Sequence, residues 1–540
     1  MRTGLKNLLK AVCFLIVLGV VILSVQEVVV PYRDWPSKGR RTTKTVRSVF
    51  NEQKDSLDVL WLGTSHVFSA ISPMELYRQT NIYSYVLGIV GERAPVAYYL
   101  AQAALREQTP KLVIVDVGVF FHSDADNKNT GAWQGALDAL PITRMADRVA
   151  MAKGLAETRD EPFDEGYIAR SVLPILLYHD NYTAGVEEYL NLHTDQLYHR
   201  KGFVCTTGIK ASKATPVDPA AEPQTNTVEF QELLERFNTN LPTANALKKL
   251  CDDHGVELVF TKMPVCARKS YDGRWSVEKH MLVQSLADEM GIEFIDLNYQ
   301  DVDIDWNTDT RDGGMHLNLA SAVKATSFLG EWLSEHYDFG PHDDEKLKGQ
   351  WDAQLKLYDS EMEYAWDQME DDIVAFLDAV VGDDVTLLTT VSGGVGEFWT
   401  DEIQAKFTEA TGIENDLRNA SNAAFAAVSF NGELIGKKSG DSKCSLSATL
   451  PDGESCKLTS KAVDDAEGEG KIEVEGTQMA SSGRGIHFAV YDNRLKCVVD
   501  SVTFGPSEKG GVQMTRDNDA YEWEYYLELM ENAAEYMKTV

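Results

Sequence analysis

The stretch Asp58–Ser72, DVLWLGTSHVFSAIS, constrains the fold more than any other. Val59–Leu62 is an apolar run too short for a helix and reads as a buried strand. Gly63 turns the chain, Thr64, Ser65 and His66 follow, and a helix opens near Pro73. Lys111–Val119, KLVIVDVGV, repeats the theme: it is apolar on both faces and bounded by Pro110 and Gly118. A strand of that kind belongs to a sheet covered on both sides. Between the two, Ile82–Val86 reads as a strand and Ala97–Arg106, after Pro95, as a helix. Residues 56–121 therefore alternate as a parallel sheet with crossover helices does. Ligands bind such sheets where strands exit at their carboxyl ends, which makes Ser65 a candidate nucleophile. The same Gly-Thr-Ser also serves as a plain helix cap.

The pattern returns further along. Phe230–Cys251 has the period of a helix, Val256–Thr261 of a strand, Ser276–Met290 of a helix and Ile292–Leu297 of a strand. These complete a core of about five strands. Asn318–His336 is the last helix of this part, with Val323, Phe328, Leu329, Trp332 and Leu333 on its buried stripe. Trp133–Leu155, Ile168–Tyr178 and Asp180–Leu197 read as helices, and Thr206–Thr227 as a loop insertion.

An acyl-transfer site needs a hydroxyl, a base, a group that orients the base, and N–H donors for the oxyanion. His316 is the candidate base, just after Gly313–Gly314 and before the last helix. Asp312 is placed to turn back on its imidazole, and Asp309 is the alternative acid. Gly88 and Gly91 let the backbone approach a ligand closely, and Glu92 in the same loop is an oxyanion or substrate candidate. Asp301, Asp303 and Asp305 alternate like a calcium loop but lack its glycine and terminal glutamate, so neither metal nor cofactor is expected.

The ends of the chain differ in character. Arg2, Lys6 and Lys10 precede or interrupt an apolar run that includes Ala11–Val25. It reads as an uncleaved anchor, a cleaved signal segment being the alternative, with the bulk of the chain outside the cytoplasm. A basic stalk follows over 31–55. The net charge of −33 excludes a nucleic-acid partner, since no basic stripe offsets it. The seven cysteines form no C-x-x-C pair, and a Cys444–Cys456 bridge is compatible with an extracellular setting.

Gly63-Thr64-Ser65-His66, Ser72-Pro73-Met74-Glu75-Leu76 and Asp312-Gly-Gly-Met-His316-Leu-Asn318 together resemble the SGNH/GDSL-type hydrolase superfamily. Within it the likeness is to the membrane-anchored branch related to the D-alanyl-lipoteichoic acid biosynthesis protein DltD. The resemblance covers about residues 50–337. It implies a three-layer, flavodoxin-like α/β sheet, with Ser65, Asp312 and His316 as catalytic residues. It also implies action on D-alanyl or acetyl groups of a cell-envelope glycopolymer, with an acyl-donating membrane protein as a further partner. Two departures stand out. Three residues separate Asp312 from His316 where the family has two, and Asp116, Gly118 and Phe120 stand where many members have Gly-x-Asn-Asp. The middle segment Leu173–Asp180 also resembles this branch, with His179 a minor candidate.

The expected organisation is an anchor or signal segment at 1–30, the stalk, a catalytic domain at 56–337, a helical linker at 338–370, a β-rich α+β accessory domain at 371–510 and a closing helix at 511–540. Gly483–Asp492 and Val498–Phe504 resemble an ILEI/FAM3-type domain; the region offers no catalytic set, so binding or a structural role is expected of it. Two functions fit: an extracytoplasmic serine acyl esterase or O-acyltransferase, and a catalytically inactive anchored scaffold or polymer-binding protein on the same fold.

Overall fold

The structure, a computed structural model, describes residues 2–30, 46–122, 130–157, 165–178, 200–267, 276–367, 369, 372–380, 384–419, 423–462, 469–479, 483–493, 497–507 and 511–516. Most of the expected stalk, His179, the helix expected over Asp180–Leu197 and the closing helix expected over Tyr521–Met537 lie outside the described residues. The chain divides into two compact units. The first is Met1–Val204, Pro216–Asp303 and Ala322–Tyr358, and the second is Cys205–Thr215, Ile304–Ser321 and Asp359–Val540. Two inner segments expected within 56–337 thus group with the second unit.

The first unit begins with helix α1 (Arg2–Val29), whose segment Leu9–Gln26 is long and apolar enough to cross a membrane. Phe14, Leu15, Ile16 and Val17 on it are exposed. Strands β1 (Val59–Gly63), β2 (Ser84–Gly88), β3 (Leu112–Asp116), β4 (Glu257–Lys262) and β5 (Glu293–Asp296) form one parallel sheet in the order β2-β1-β3-β4-β5. Every residue of β1, β2 and β3 is buried, as their apolar runs require of strands covered on both faces. The chain leaves β1 for β2 on one side and then crosses to β3 on the other. That reversal opens a crevice at the carboxyl ends of β1 and β3.

The covering helices follow the sequence pattern with a few breaks. After β1 come α2 (Ser65–Ala70) and α3 (Pro73–Thr80), and after β2 comes α4 (Ala94–Ala104). The single helices expected over Trp133–Leu155 and Ile168–Tyr178 are each split, into α5 (Thr130–Ala139) and α6 (Met145–Glu157), and into α7 (Glu165–Val172) and α8 (Pro174–Tyr178). Pro141 and Pro174 stand at the breaks, because proline cannot supply the N–H a continuing helix needs. Then come α9 (Val228–His254), α10 (Ser276–Met290), α11 (Leu319–His336) and α12 (Glu345–Asp367). Helix α9 packs on α4, and α11 brings Gly330 against Leu76 and Thr80 of α3.

The second unit holds α13 (Ile373–Ala379), α14 (Asp401–Thr411) and strands β6 (Val385–Ser392), β7 (Ala424–Phe430), β8 (Glu433–Gly440), β9 (Lys443–Thr449), β10 (Ser455–Lys461), β11 (Glu469–Val474), β12 (Thr477–Gln478), β13 (Gly485–Asp492), β14 (Cys497–Pro506) and β15 (Val512–Arg516). An antiparallel sheet runs β8-β7-β6-β13-β14-β15, and a second runs β9-β10-β11-β12. Leu387, Val391, Phe425, Phe488 and Phe504 on one face of the larger sheet join Phe376 of α13 and Phe407 of α14 in one core. Leu388, Ala426, Ala489 and Tyr491 on its other face pack with Leu458 and Ile472 of the smaller sheet. Residues 512–516, expected at the start of a closing helix, are strand β15 instead. Their alternating Val-Gln-Met-Thr-Arg follows the strand period of two.

The Cys444–Cys456 bridge is absent, both thiols being free and buried. In the β9–β10 ladder Cys444 faces Ser460 and Cys456 faces Ala448. That offset of four strand positions is about 13 Å, beyond the reach of a disulfide.

Candidate functional site

At the end of β1 the backbone turns with Gly63 at φ +153°. A Cβ there would lie 2.6 Å from Val67 Cγ2 and 2.7 Å from Asp116 Cβ, so only glycine fits. Thr64 is the N-cap of α2, its Oγ1 accepting the N–H of His66 at 3.2 Å. The capping role thus falls to Thr64, and the half-buried Ser65 is the first residue of the helix.

The neighbouring strand exits in this unit are lined with buried ionisable groups. After β2, Gly91 turns at φ +62° and Glu92 donates its N–H to the Ile89 carbonyl at 3.2 Å. The Glu92 side chain is fully buried, and neither carboxyl oxygen has a well-formed hydrogen bond among the described residues. Burial pushes its pKa well above the carboxylate range; the nearby amides of Ile89 and Gly63 oppose this, and the charge of Asp116 adds to it. At the end of β3, Asp116 accepts the N–H of Gly118 at 2.9 Å and of Met263 at 3.1 Å. Its pKa is also raised by burial, against the pull of His66 and those two amides. Lys262 ends β4 with a buried Nζ that has no hydrogen-bond partner among the described residues. At the end of β5, Asp296 meets His280 Nδ1 at 3.0 Å. Burial would raise the Asp296 pKa, but Lys262, His280 and Asn298 bring it below the ordinary carboxylate value.

In the second unit, the loop that carries His316 is built by its own hydrogen bonds. Thr310 and Leu317 form an isolated antiparallel bridge, and Thr310 Oγ1 accepts the Gly314 N–H at 2.7 Å and bonds the His316 carbonyl at 3.0 Å. Gly313 and Gly314, at φ +84° and +107°, let the chain double back between them. Asp312 then accepts the N–H groups of Met315 and His316 on Oδ1, and its Oδ2 meets His316 Nδ1 at 2.5 Å. Burial favours the protonated acid, yet the bond and charge of His316 carry the Asp312 pKa far below the ordinary range. Asp309 instead accepts the Asp305 N–H at 2.8 Å, while its backbone carbonyl accepts Ser321 Oγ. The loop is tied to the segment 205–212 through Leu319 N–H to Thr206 O, Lys210 N–H to Thr310 O and Asn318 Nδ2 to Gly208 O. That segment joins β15 through paired bonds between Ile209 and Arg516.

Comparison with known proteins adds little. No family model matches the chain, and no curated protein matches it. It is similar to a solved structure from Bacteroides fragilis NCTC 9343 named "putative acylhydrolase", at 8% identity and a TM-score of 0.26, with 56% of this chain and 98% of that chain covered. A likeness of that size transfers neither a fold nor an activity.

The residue pattern singles out Ser65, Glu92, Asp312 and His316 as candidates, whereas Lys262, Asp296 and His280 come to notice only with the sheet order. VFTK and FID each end an apolar strand on an ionisable residue, a pattern that also reads as the start of a loop. Among the described residues no group of three or more His, Cys, Asp or Glu is placed to hold a metal ion. A cavity of 570 Å³ lined by Thr80–Ile82 and Ser334–Gly340 lies before β2 begins, at the amino end of that strand, away from these groups.

Proposed function

We propose that the chain is a membrane-anchored, extracytoplasmic serine acyl esterase or O-acyltransferase of the SGNH type, acting on D-alanyl or acetyl groups of a cell-envelope glycopolymer. The observation that carries this reading is the Asp312–His316 contact at 2.5 Å. A carboxylate on Nδ1 holds the ring proton there and makes Nε2 the basic nitrogen, as a general base requires. Ser65 Oγ attacks the ester carbonyl and its proton passes to His316 Nε2. The tetrahedral adduct collapses, the polymer hydroxyl leaves with that proton, and an acyl-Ser65 ester remains. Water or a second hydroxyl then takes the acyl group by the same steps in reverse. Glu92 and the backbone at Gly91 serve the oxyanion, a proton-bearing carboxyl being a donor where a carboxylate would repel. The strand order β2-β1-β3-β4-β5 is that of flavodoxin-like sheets, which supports the fold this reading needs. The cationic Arg2, Lys6 and Lys10 at the start of α1 support an outward-facing body.

A second reading, an inactive scaffold or polymer-binding protein, draws on one observation: Ser65 belongs to the first unit and the Asp312–His316 pair to the second. Covalent labelling decides between the two. The full chain is treated with a serine-reactive fluorophosphonate and the adduct located by mass spectrometry, with Ser65→Ala and His316→Ala alongside. An adduct on Ser65 that both substitutions abolish is expected. Absence of any adduct on folded protein, under conditions that label an active esterase, rejects the enzyme in favour of the scaffold.

A further inference from the structure

Helix α8 is only five residues long, yet the protein fixes it firmly. Pro174 is buried at its start, and Tyr178 at its end donates its hydroxyl to Asp138 Oδ2 at 2.6 Å. Asp138 is itself buried beside Arg148, whose guanidinium donates to the carbonyls of Val172, Leu137 and Leu140 at 2.7–3.0 Å. A fully buried guanidinium satisfied in this way clamps α5, α6 and the end of α7 together, so α8 rests on a rigid base.

The face that α8 turns outward is apolar. Leu176 is 48% exposed and Leu177 39%, the only adjacent pair of exposed large hydrophobic residues outside α1 among the described residues. A lone exposed leucine means little, but a pair held on a rigid helix calls for an occupant. The first unit supplies a direct argument for which one. Gln26, at the end of the apolar segment of α1, is fully buried and its Oε1 accepts the N–H of Ile175 at 2.9 Å. Val29 and Val30 are buried just after it. The bond therefore fastens α8 to the point where α1 passes from its exposed apolar length into the body of the unit. The exposed leucines follow in sequence directly after the bonded residue.

We propose that α8 is a second membrane contact, with Leu176 and Leu177 entering the acyl-chain boundary of the outer leaflet and seating the first unit on the lipid surface. This rests on the reading of α1 as a membrane span. The inserted pair would hold the unit close to headgroup-linked polymer rather than letting it swing on a tether.

The test uses the full chain in vesicles of phosphatidylcholine and phosphatidylglycerol that carry a phosphatidylcholine with a diazirine in its acyl chain. After illumination, lipid adducts are mapped by mass spectrometry. Adducts on α1 and on the peptide containing Leu176–Leu177 are expected. In the Leu176→Asp, Leu177→Asp double variant, α1 adducts persist and those on α8 fall by at least about fivefold. Labelling of α1 without α8 in the unsubstituted protein overturns the proposal while the span stands, and leaves the leucines to a protein partner. Labelling of neither rejects the span as well. Labelling of α8 that survives both aspartates also overturns the proposal, since insertion of the leucines would not be its cause.

Discussion

Single residues at the carboxyl edge of the parallel sheet pose an electrostatic problem whose solution is measurable. Glu92 and Asp116 are both buried and both have raised pKa values, chiefly through desolvation. A carboxyl group with a raised folded pKa binds more protons folded than unfolded once the pH passes its ordinary value, 4.5 for Glu92. Its contribution to stability is therefore complete below that pH and is lost as the pH rises toward the folded value. Glu92→Gln, which keeps the shape and removes the titration, is expected to change stability at pH 5 by less than about 1 kcal/mol and to flatten the decline above it. Urea unfolding at a series of pH values from 4 upward checks this, the decline above 4.5 being the part that the substitution removes. Asp312 and Asp309 both lie close to His316 in sequence, and the structure puts Asp312 on its Nδ1. Asp312→Asn is expected to slow fluorophosphonate labelling of Ser65 by at least about 100-fold, through loss of the correct tautomer. Asp309→Asn, which keeps an acceptor for the Asp305 amide, should slow it by less than about tenfold. Equal effects would mean that the 2.5 Å contact does not orient the base.

Elements show why part of this protein could be read directly and part could not. The strands β1 and β3 and helices α10 and α11 lie within a residue or a few of their expected bounds, because VLWL, LVIV and the helical stripes carry a strong period between clear breakers. Strand β6, at the centre of the larger antiparallel sheet, is not legible in the sequence. The acidic residues on either side of Val385–Ser392 masked it, and its TLLTTV pattern buries threonine as readily as leucine. The proline breaks at 141 and 174 were also passed over, although proline's effect on a helix is local and legible. Among the candidate residues, Ser65 was legible from the glycine turn before it and His316 from Gly313–Gly314. Lys262 was not, because a strand's last residue looks like the start of a loop until the sheet order is known. The turn after β1 yields an element-scale prediction. Gly63→Ala places a methyl group against Val67 and Asp116 at a φ that L-residues rarely adopt. A loss of about 2–4 kcal/mol in urea unfolding is expected, with no comparable loss for Gly349→Ala, whose Cβ meets nothing within 4 Å.

For the whole molecule, one division between the two units falls at Tyr358–Asp359, inside the expected linker, but 205–215 and 304–321 also join the second unit from within the first. Linear domain bounds cannot express that exchange; only pairings such as Ile209 with Arg516 reveal it. Two units with separate cores should also unfold with separate dependences on pH, and His487 provides the handle. It is fully buried in β13, with Nδ1 2.8 Å from Thr503 Oγ1 and Nε2 3.0 Å from the Gly483 carbonyl. Burial lowers its pKa from 6.5 to about 4, although the Gly483 bond acts in the opposite sense. Between those values the unfolded chain binds the proton and the folded chain does not. Stability of the second unit is therefore full above 6.5 and is lost as the pH falls toward 4, by about 3 kcal/mol. Scanning calorimetry from pH 7 down to pH 4.5 should show one transition that shifts downward for this reason. His487→Gln, which retains a polar side chain without a titration in this range, should lower that transition at pH 7 and remove the histidine's share of its pH dependence. The transition of the first unit should not respond to the substitution. If both transitions respond alike, the units unfold as one cooperative body, and the exchange of segments between them would be the physical reason.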